Sequence, residues 1–263
     1  MIDKHKLTLH IRDEEVKRLV CSVLDKAQSV IGNHDVKSTD FLNPYELRCV
    51  RDVLNHLKGD IIYREYGECS QAERKCVLIC PWYMDVEEIE SPISFLCVGG
   101  NFKFREISHR DYLGSVMGLG IRREKIGDIH VHENSCHLAV KSEVADFLHM
   151  NFNKVSSNSV NVRRIDGDEF TCSEQEFKAK NFTVSSLRLD CMLSGIYNIS
   201  RGEASKMVSS ERVRVDFEPV VESAKHLYEG GLISVRGKGR AFIDSINGNT
   251  KKGRISVTAK III

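Results

Sequence analysis

Residues 185–217 read SSLRLDCMLSGIYNISRGEASKMVSSERVRVDF. Leu189, Met192, Leu193 and Ile196 recur at i, i+3, i+4 and i+7, the spacing of a helix with one buried face, and Gly195 falls near its end. Ser200 then stands as the N-cap of a second helix, and Glu203 three positions on completes a capping box. Ala204, Met207 and Val208 form that helix's inward face. The stretch RVRVDF switches to a period of two, so Arg212 and Arg214 share one strand face. Downstream, LISVRGKGRAFID (232–244) reads as a strand with Arg236, Lys238 and Arg240 on one face and Gly237 and Gly239 on the other, and RISVTAKIII (254–263) as another. Two short helices followed by strands define a small α+β unit beginning near residue 182.

The second helix offers an anion site at its start, because its first backbone N–H groups lack partners and carry the positive end of the helix dipole. Gly202 leaves the approach open, Arg201 can fork onto phosphate oxygens, and Lys206 extends the charge along the helix. Cations spread over two helices and two strands suit a surface that tracks phosphates by charge, not by base identity. The plainer reading is a solvated edge strand that resists aggregation.

Charge is unevenly distributed. The 263 residues carry a net charge of +1, yet residues 183–263 hold thirteen Lys and Arg against eight Asp and Glu, a balance of +5 that leaves −4 for the first 182. The basic third is the polyanion-facing end. There is no apolar run of membrane-spanning length and no secretory leader in MIDKHKLTLHIRDEE, which points to the cytoplasm. Nine scattered cysteines form no C-x-x-C pair and read as reduced, mostly buried thiols; no cofactor or metal is expected.

Working further outward, residues 1–84 form an N-terminal α/β module. It has a helix over 13–31, a helix opened by Asn43, Pro44 and Glu46, and strands DIIYREYG and KCVLICPWY. Residues 85–181 give the order β-α-β-β-α-β, that of a ferredoxin-like sandwich also used by RNA-recognition modules. Its first helix opens with a box between Ser108 and Asp111, leaving His109 and Arg110 exposed on the first turn and able to touch RNA. Arg122, Arg123 and Lys125 form a basic loop that either extends such a footprint or is simply solvated. Residues 182–263 are the third unit.

Several motifs tempt and fail. His109-Arg110-Asp111 copies a kinase tripeptide, but the glycine-rich loop and D-F-G are missing and Val116 stands where an Asn is needed. GLGIRREKIG follows a helix and lacks G-x-G-x-x-G. His130, His132 and His137 read as a paired-strand surface in preference to a metal site, and Trp82 and Tyr83 as packing between modules.

The C-terminal residues resemble the small RNA-binding domain named after ribosomal protein S-four. Its R-L-D-x-x-L helix, S-R-x-x-A, V-x-V strand and I-x-V-R-G-x-G-R are met by Arg188, Leu189, Asp190 and Leu193; Ser200, Arg201 and Ala204; Val213 and Val215; and Ile233 through Arg240. Asp216 and Phe217 replace the usual Asn-Gly, exchanging a tight turn for a wider one, and Gly231 stands where an Asp is common. HRDYLGSVMGLGIRREKIGDI is similar to the signature of YlmH-type bacterial RNA-binding proteins, through His109, Arg110, Asp111, Leu113, Gly114, Leu119, Gly120, Arg123, Gly127 and Asp128. The resemblance implies a monomeric, non-enzymatic binder of ribosomal RNA and tRNA on the large ribosomal subunit, linked to rescue of stalled ribosomes. The expected contacts are Arg188, Ser200, Arg201, Lys206, Arg212, Arg214, Arg236, Lys238 and Arg240, with His109, Arg110, Arg122 and Arg123 on a second surface. The alternatives are an RNA-modifying enzyme of the pseudouridine-synthase kind, which Arg188-Leu189-Asp190 suggests, and a protein-interaction adaptor linked to cell division.

Overall fold

Asp13 accepts the backbone N–H groups of Glu15 and Val16 and so starts a helix of 20 residues. In the computed structural model, residues 2–69, 71–100, 102, 107–251 and 253–263 are described. They form a mixed α+β protein with seven α-helices and antiparallel sheets, divided into two units, 1–173 and 174–263.

The first unit begins with α1 (Lys4–Thr8) and α2 (Glu14–Asn33), whose inward face is Val16, Val20, Val23, Leu24, Ala27 and Val30. After β1 (Lys37–Ser38) comes α3 (Pro44–Asn55), where Asn43 and Glu46 form both halves of the expected box. Strands β2 (Ile61–Tyr66) and β3 (Cys76–Pro81) complete a sheet ordered β1-β3-β2. The chain continues through β4 (Ile93–Gly100), α4 (His109–Gly118), β5 (Ile126–Val131), β6 (Ser135–Lys141), α5 (Ser142–Asn151), β7 (Lys154–Val155) and β8 (Asn158–Ile165). This second sheet runs β5-β6-β4-β8-β7. Tyr112 and Val116 of α4 and Ala145 and Leu148 of α5 pack with Leu96, Val98, Leu138, Val140 and Val162 in one core.

Residues 1–84 and 85–173, read from the element pattern as two modules, lie within one compact unit. Phe41 and Cys76 share a buried cluster with Ile93 and Ala139. Lys141, itself buried, donates through Nζ to Ser38 Oγ at 2.7 Å and Thr39 O at 2.9 Å. The approach is tight enough to require glycine at 127, where a Cβ would lie 2.6 Å from the Phe41 ring. Burying Phe41 in this way is worth about 2–3 kcal/mol. Trp82 and Tyr83 take no part in it: they are 64% and 53% exposed, and Tyr83 OH meets His34 Nδ1 at 3.1 Å.

The second unit starts earlier than residue 182. Strand β9 (Phe177–Val184) pairs along its length with the last strand and so belongs to the C-terminal sheet. All its residues but Val184 are exposed or half-exposed and it presents no continuous apolar face, which hides it from a hydrophobic-pattern reading. Then follow α6 (Leu189–Tyr197), α7 (Arg201–Ser209), β10 (Val213–Val215), β11 (Glu218–Pro219), β12 (Leu232–Val235), β13 (Gly239–Asn249) and β14 (Ile255–Ile262). The six-stranded order is β11-β10-β12-β13-β14-β9. One sheet face packs Val213, Val215, Ile233, Val235, Ala241 and Ile243 against Leu189, Leu193, Ala204 and Val208 of the helices. The other face carries Arg214, Ser234 and Arg240 in one row, and further along Phe242 beside Phe177 and Lys260 paired with Asp244.

Candidate RNA-contact surface

The nine C-terminal residues singled out from sequence fall into two groups. The first surrounds Asp190, a carboxylate only 3% exposed at the first turn of α6. Arg188 donates to it through Nε at 3.2 Å and Nη2 at 3.3 Å, Arg201 through Nη2 at 2.7 Å, and the Cys191 backbone N–H at 2.9 Å. Burial pushes the Asp190 carboxyl up, but these donors outweigh it and hold it at about 2. Arg188 and Arg201 are thus held on a buried anion, not simply presented to solvent. They remain 38% and 57% exposed at the side chain, with donors to spare. Ser200 caps α7 by accepting the Glu203 N–H at 3.1 Å, while no return bond from Glu203 is present among the described residues. A Cβ at 202 would find only Ser200 Oγ, at 4.0 Å, so the approach to this helix end is open. Lys206 is exposed on the same helix.

The second group lies on the sheet corner β10-β12-β13. Arg214 pairs with Ser234, and Ser234 pairs with Arg240, so the two arginines flank one serine in a cross-strand row. Two strand spacings put their backbones about 10 Å apart. Arg212 and Arg214 are exposed on either side of the fully buried Val213. Residues 236–238 do not continue the strand as expected. They form the turn between β12 and β13, with Gly237 at φ +84° and Gly239 at φ +95°. Alternation therefore does not align Arg236, Lys238 and Arg240; the turn projects Arg236 and Lys238, both exposed, beyond the strand ends. Arg212 braces the turn by donating from Nη2 to Arg236 O at 2.9 Å, and Tyr197 at the end of α6 donates to Gly239 O at 3.1 Å.

Asp216 and Phe217 also differ from expectation. Val215 pairs with Glu218, leaving a tight two-residue hairpin with both residues left-handed, at φ +50° and +68°. Asp216 fixes it by accepting the Leu232 N–H at 2.8 Å. The Phe217 ring lies 5.3 Å from the Arg240 guanidinium carbon, and its carbonyl accepts from Arg214 at 3.4 Å. This aromatic between two arginines was missed from sequence, because only the pairing shows that they meet.

In the first unit, His109 and Arg110 are exposed on the opening turn of α4, whose Ser108–Asp111 box is complete. Arg122 is 68% exposed and reaches Asp40 Oδ2 at 3.4 Å. Arg123 is not a surface cation. It turns inward to donate to the carbonyls of Ile126 and Gly127, and burial, with Arg74 adding to it, lowers it to about 10. Lys125 is tied to Asp40 and Glu143. The three histidines pin residues 171–173: His137 Nδ1 accepts the Thr171 N–H at 3.0 Å, His130 Nδ1 accepts the Ser173 N–H at 3.0 Å, and His132 Nε2 lies 3.2 Å from Thr171 Oγ1.

These features describe a mixed α+β protein whose C-terminal sheet gathers cations at the corner of β10, β12 and β13. Residues 13–84 match the family model "YlmH, N-terminal", and residues 87–169 match "Putative RNA-binding domain in YlmH". The chain is 30% identical over 249 residues to "Ribosome-associated protein quality control protein P2" of Bacillus subtilis (strain 168), spanning 95% of this chain and 96% of that protein. It belongs to the YlmH family. Its fold is also similar to the solved "Cell division protein ylmH from Streptococcus pneumoniae", with a TM-score of 0.51 at 23% identity, covering 60% of this chain and 94% of that one.

Proposed function

We propose that the chain binds structured RNA without altering it, and that its target is ribosomal RNA with tRNA nearby on the large ribosomal subunit. In this reading residues 174–263 are an S-four-type domain, the sheet of β4, β5, β6 and β8 is a ferredoxin-like module, and the protein acts as a cytoplasmic monomer in rescue of stalled ribosomes. The observation that carries it is the Arg214–Ser234–Arg240 row with Phe217 against it: two guanidiniums for phosphates and one ring for a base. The helix end at Ser200 and Arg201 adds an open anion site. The name of the Bacillus subtilis relative supports a ribosomal partner. Among the described residues no helix is long and apolar enough to cross a membrane.

Sedimentation of the full-length protein with ribosomes across a salt series tests this. Pelleting at low salt that weakens steeply as salt rises is expected. Failure to pellet at low salt would instead favour an adaptor that works through protein contacts. New modified nucleotides in ribosomal RNA after incubation would show an enzyme.

A further inference from the structure

The nine cysteines are not equivalent. Six are buried and Cys21 is half-buried; Cys69, in the loop after β2, and Cys172, in the segment after β8, are the exposed ones. These two stand 103 positions apart in the chain, yet Cys172 donates its S–H to the Cys69 sulfur at 3.6 Å. Two accessible thiols in contact are the arrangement from which a disulfide closes.

Their meeting follows from how the neighbouring residues are held. His130 of β5 stands between the two segments. Its Nδ1 accepts the Ser173 N–H at 3.0 Å, so Nε2 carries the ring proton and faces Glu68 Oε1 at 3.5 Å. One imidazole thereby ties the residue before Cys69 to the residue after Cys172. Each segment has further anchors. The Glu68 side chain is 1% exposed, and Glu68, Asp128 and His130 place side-chain atoms within 4.8 Å of one another. Asp128 Oδ2 accepts the N–H groups of Glu73 at 2.6 Å and Arg74 at 3.3 Å, which fixes the rest of that loop. On the other side, His137 Nδ1 accepts the Thr171 N–H at 3.0 Å. The backbone is thus held on both sides of the contact, while the two thiols keep their side-chain rotation. A bond of about 2 Å needs an approach of roughly 1.6 Å, which rotation about χ1 at two exposed side chains supplies.

The two sulfurs differ in role. Partial burial, then the hydrogen bond and charge of Cys69, push the Cys172 thiol up to about 11. Cys172 therefore keeps its proton and donates it, and Cys69 is the sulfur that attacks first. Oxidation of Cys69 to a neutral sulfenic acid removes the charge that opposes ionisation of Cys172.

We propose that Cys69 and Cys172 are a modification site at which a peroxide makes a reversible disulfide. The Cys69 thiolate attacks one peroxide oxygen, the O–O bond breaks, and the other oxygen leaves as hydroxide and takes up a proton to form water. The Cys172 thiolate then displaces hydroxide from the sulfenic sulfur, the S–S bond forms, and that hydroxide is protonated in turn. Two thiols and one hydrogen peroxide give one disulfide and two waters, with sulfur oxidised and peroxide oxygen reduced. A thiol reductant reverses the bond by exchange, so in a reducing compartment it is transient. It staples the loop after β2 to the segment after β8, two residues before Glu174, where the C-terminal unit begins.

The test treats the reduced full-length protein with hydrogen peroxide, blocks free thiols with N-ethylmaleimide and maps peptides by mass spectrometry. The expected product is a monomer that has lost two hydrogens, with residues 69 and 172 in one linked peptide that dithiothreitol separates. Before treatment two thiols of the folded protein should react rapidly with a thiol reagent, and afterwards none. Cys172→Ser should stop at a sulfenic acid on residue 69, trapped as its dimedone adduct, and Cys69→Ser should yield no linked peptide. Far-ultraviolet circular dichroism should be unchanged in both variants. The proposal is overturned if both thiols stay free after peroxide, if the linked peptides join other cysteines or two copies of the chain, if oxidation ends in sulfinic acid without a disulfide, or if Cys172→Ser gives no adduct at residue 69.

Discussion

Phe217 holds a left-handed backbone that a bulky side chain ordinarily avoids. Its ring lies over Arg240 and its carbonyl holds Arg214, so the strain sits where the candidate contact is made. Phe217→Gly relieves that strain, about 1 kcal/mol, while losing a cation–π contact of similar size. The expected stability change is therefore below about 1 kcal/mol, while RNA affinity falls by about 1–3 kcal/mol from the lost stacking surface. Thermal melts beside binding curves separate the two. Asp190 allows a second test. Its folded carboxyl is depressed from 3.8 to about 2, so its stabilisation is present above pH 4 and lost as pH falls towards 2. The window is worth about 2 kcal/mol. Denaturation of wild type and Asp190→Asn at pH 6 and pH 2.5 should show the wild type losing about that much more; equal losses would mean the arginines do not hold the carboxylate.

Among the elements, α6 lies so close to β9 that a Cβ at Gly195 would stand 2.2 Å from the Phe182 ring. Gly195→Ala is expected to cost about 1–3 kcal/mol by overpacking. Gly202→Ala meets open space at the start of α7 and should leave stability unchanged or raise it by up to about 1 kcal/mol. If RNA phosphate approaches that helix end, the same variant weakens binding although the fold is intact. Strand β9 explains why the unit boundary was misplaced: seven of its eight residues have an exposed or half-exposed setting. An edge strand of that kind is held by backbone pairing with β14, which no side-chain pattern reports.

Over the whole molecule, charge separates cations that can meet a polyanion from those that cannot. Arg212→Ala, Arg214→Ala and Arg236→Ala should each lower the salt dependence of RNA binding by about one unit. Arg123→Ala should leave that dependence unchanged and lower stability, because its guanidinium is occupied by the carbonyls of Ile126 and Gly127. Measuring the slope of log affinity against log salt for these four variants distinguishes them; an equal slope change for Arg123→Ala would contradict its inward placement.

The sequence by itself determined the helices with strong caps and apolar periods, the succession of strands and helices along the middle of the chain, and the concentration of cations in the last third. These are local properties: a cap needs residues three apart, and a buried face needs spacing of three and four. It already pointed to Asp190 as a structural helix residue pairing with Arg188 or Arg201, but it did not determine that Arg123 turns inward or that Glu68 and Asp128 lie side by side. Each of those is a meeting across an element boundary, and Glu68 and Asp128 are sixty residues apart in the chain. Only tertiary packing decides which partners come within hydrogen-bonding distance, and burial then decides whether a charge faces solvent or another charge.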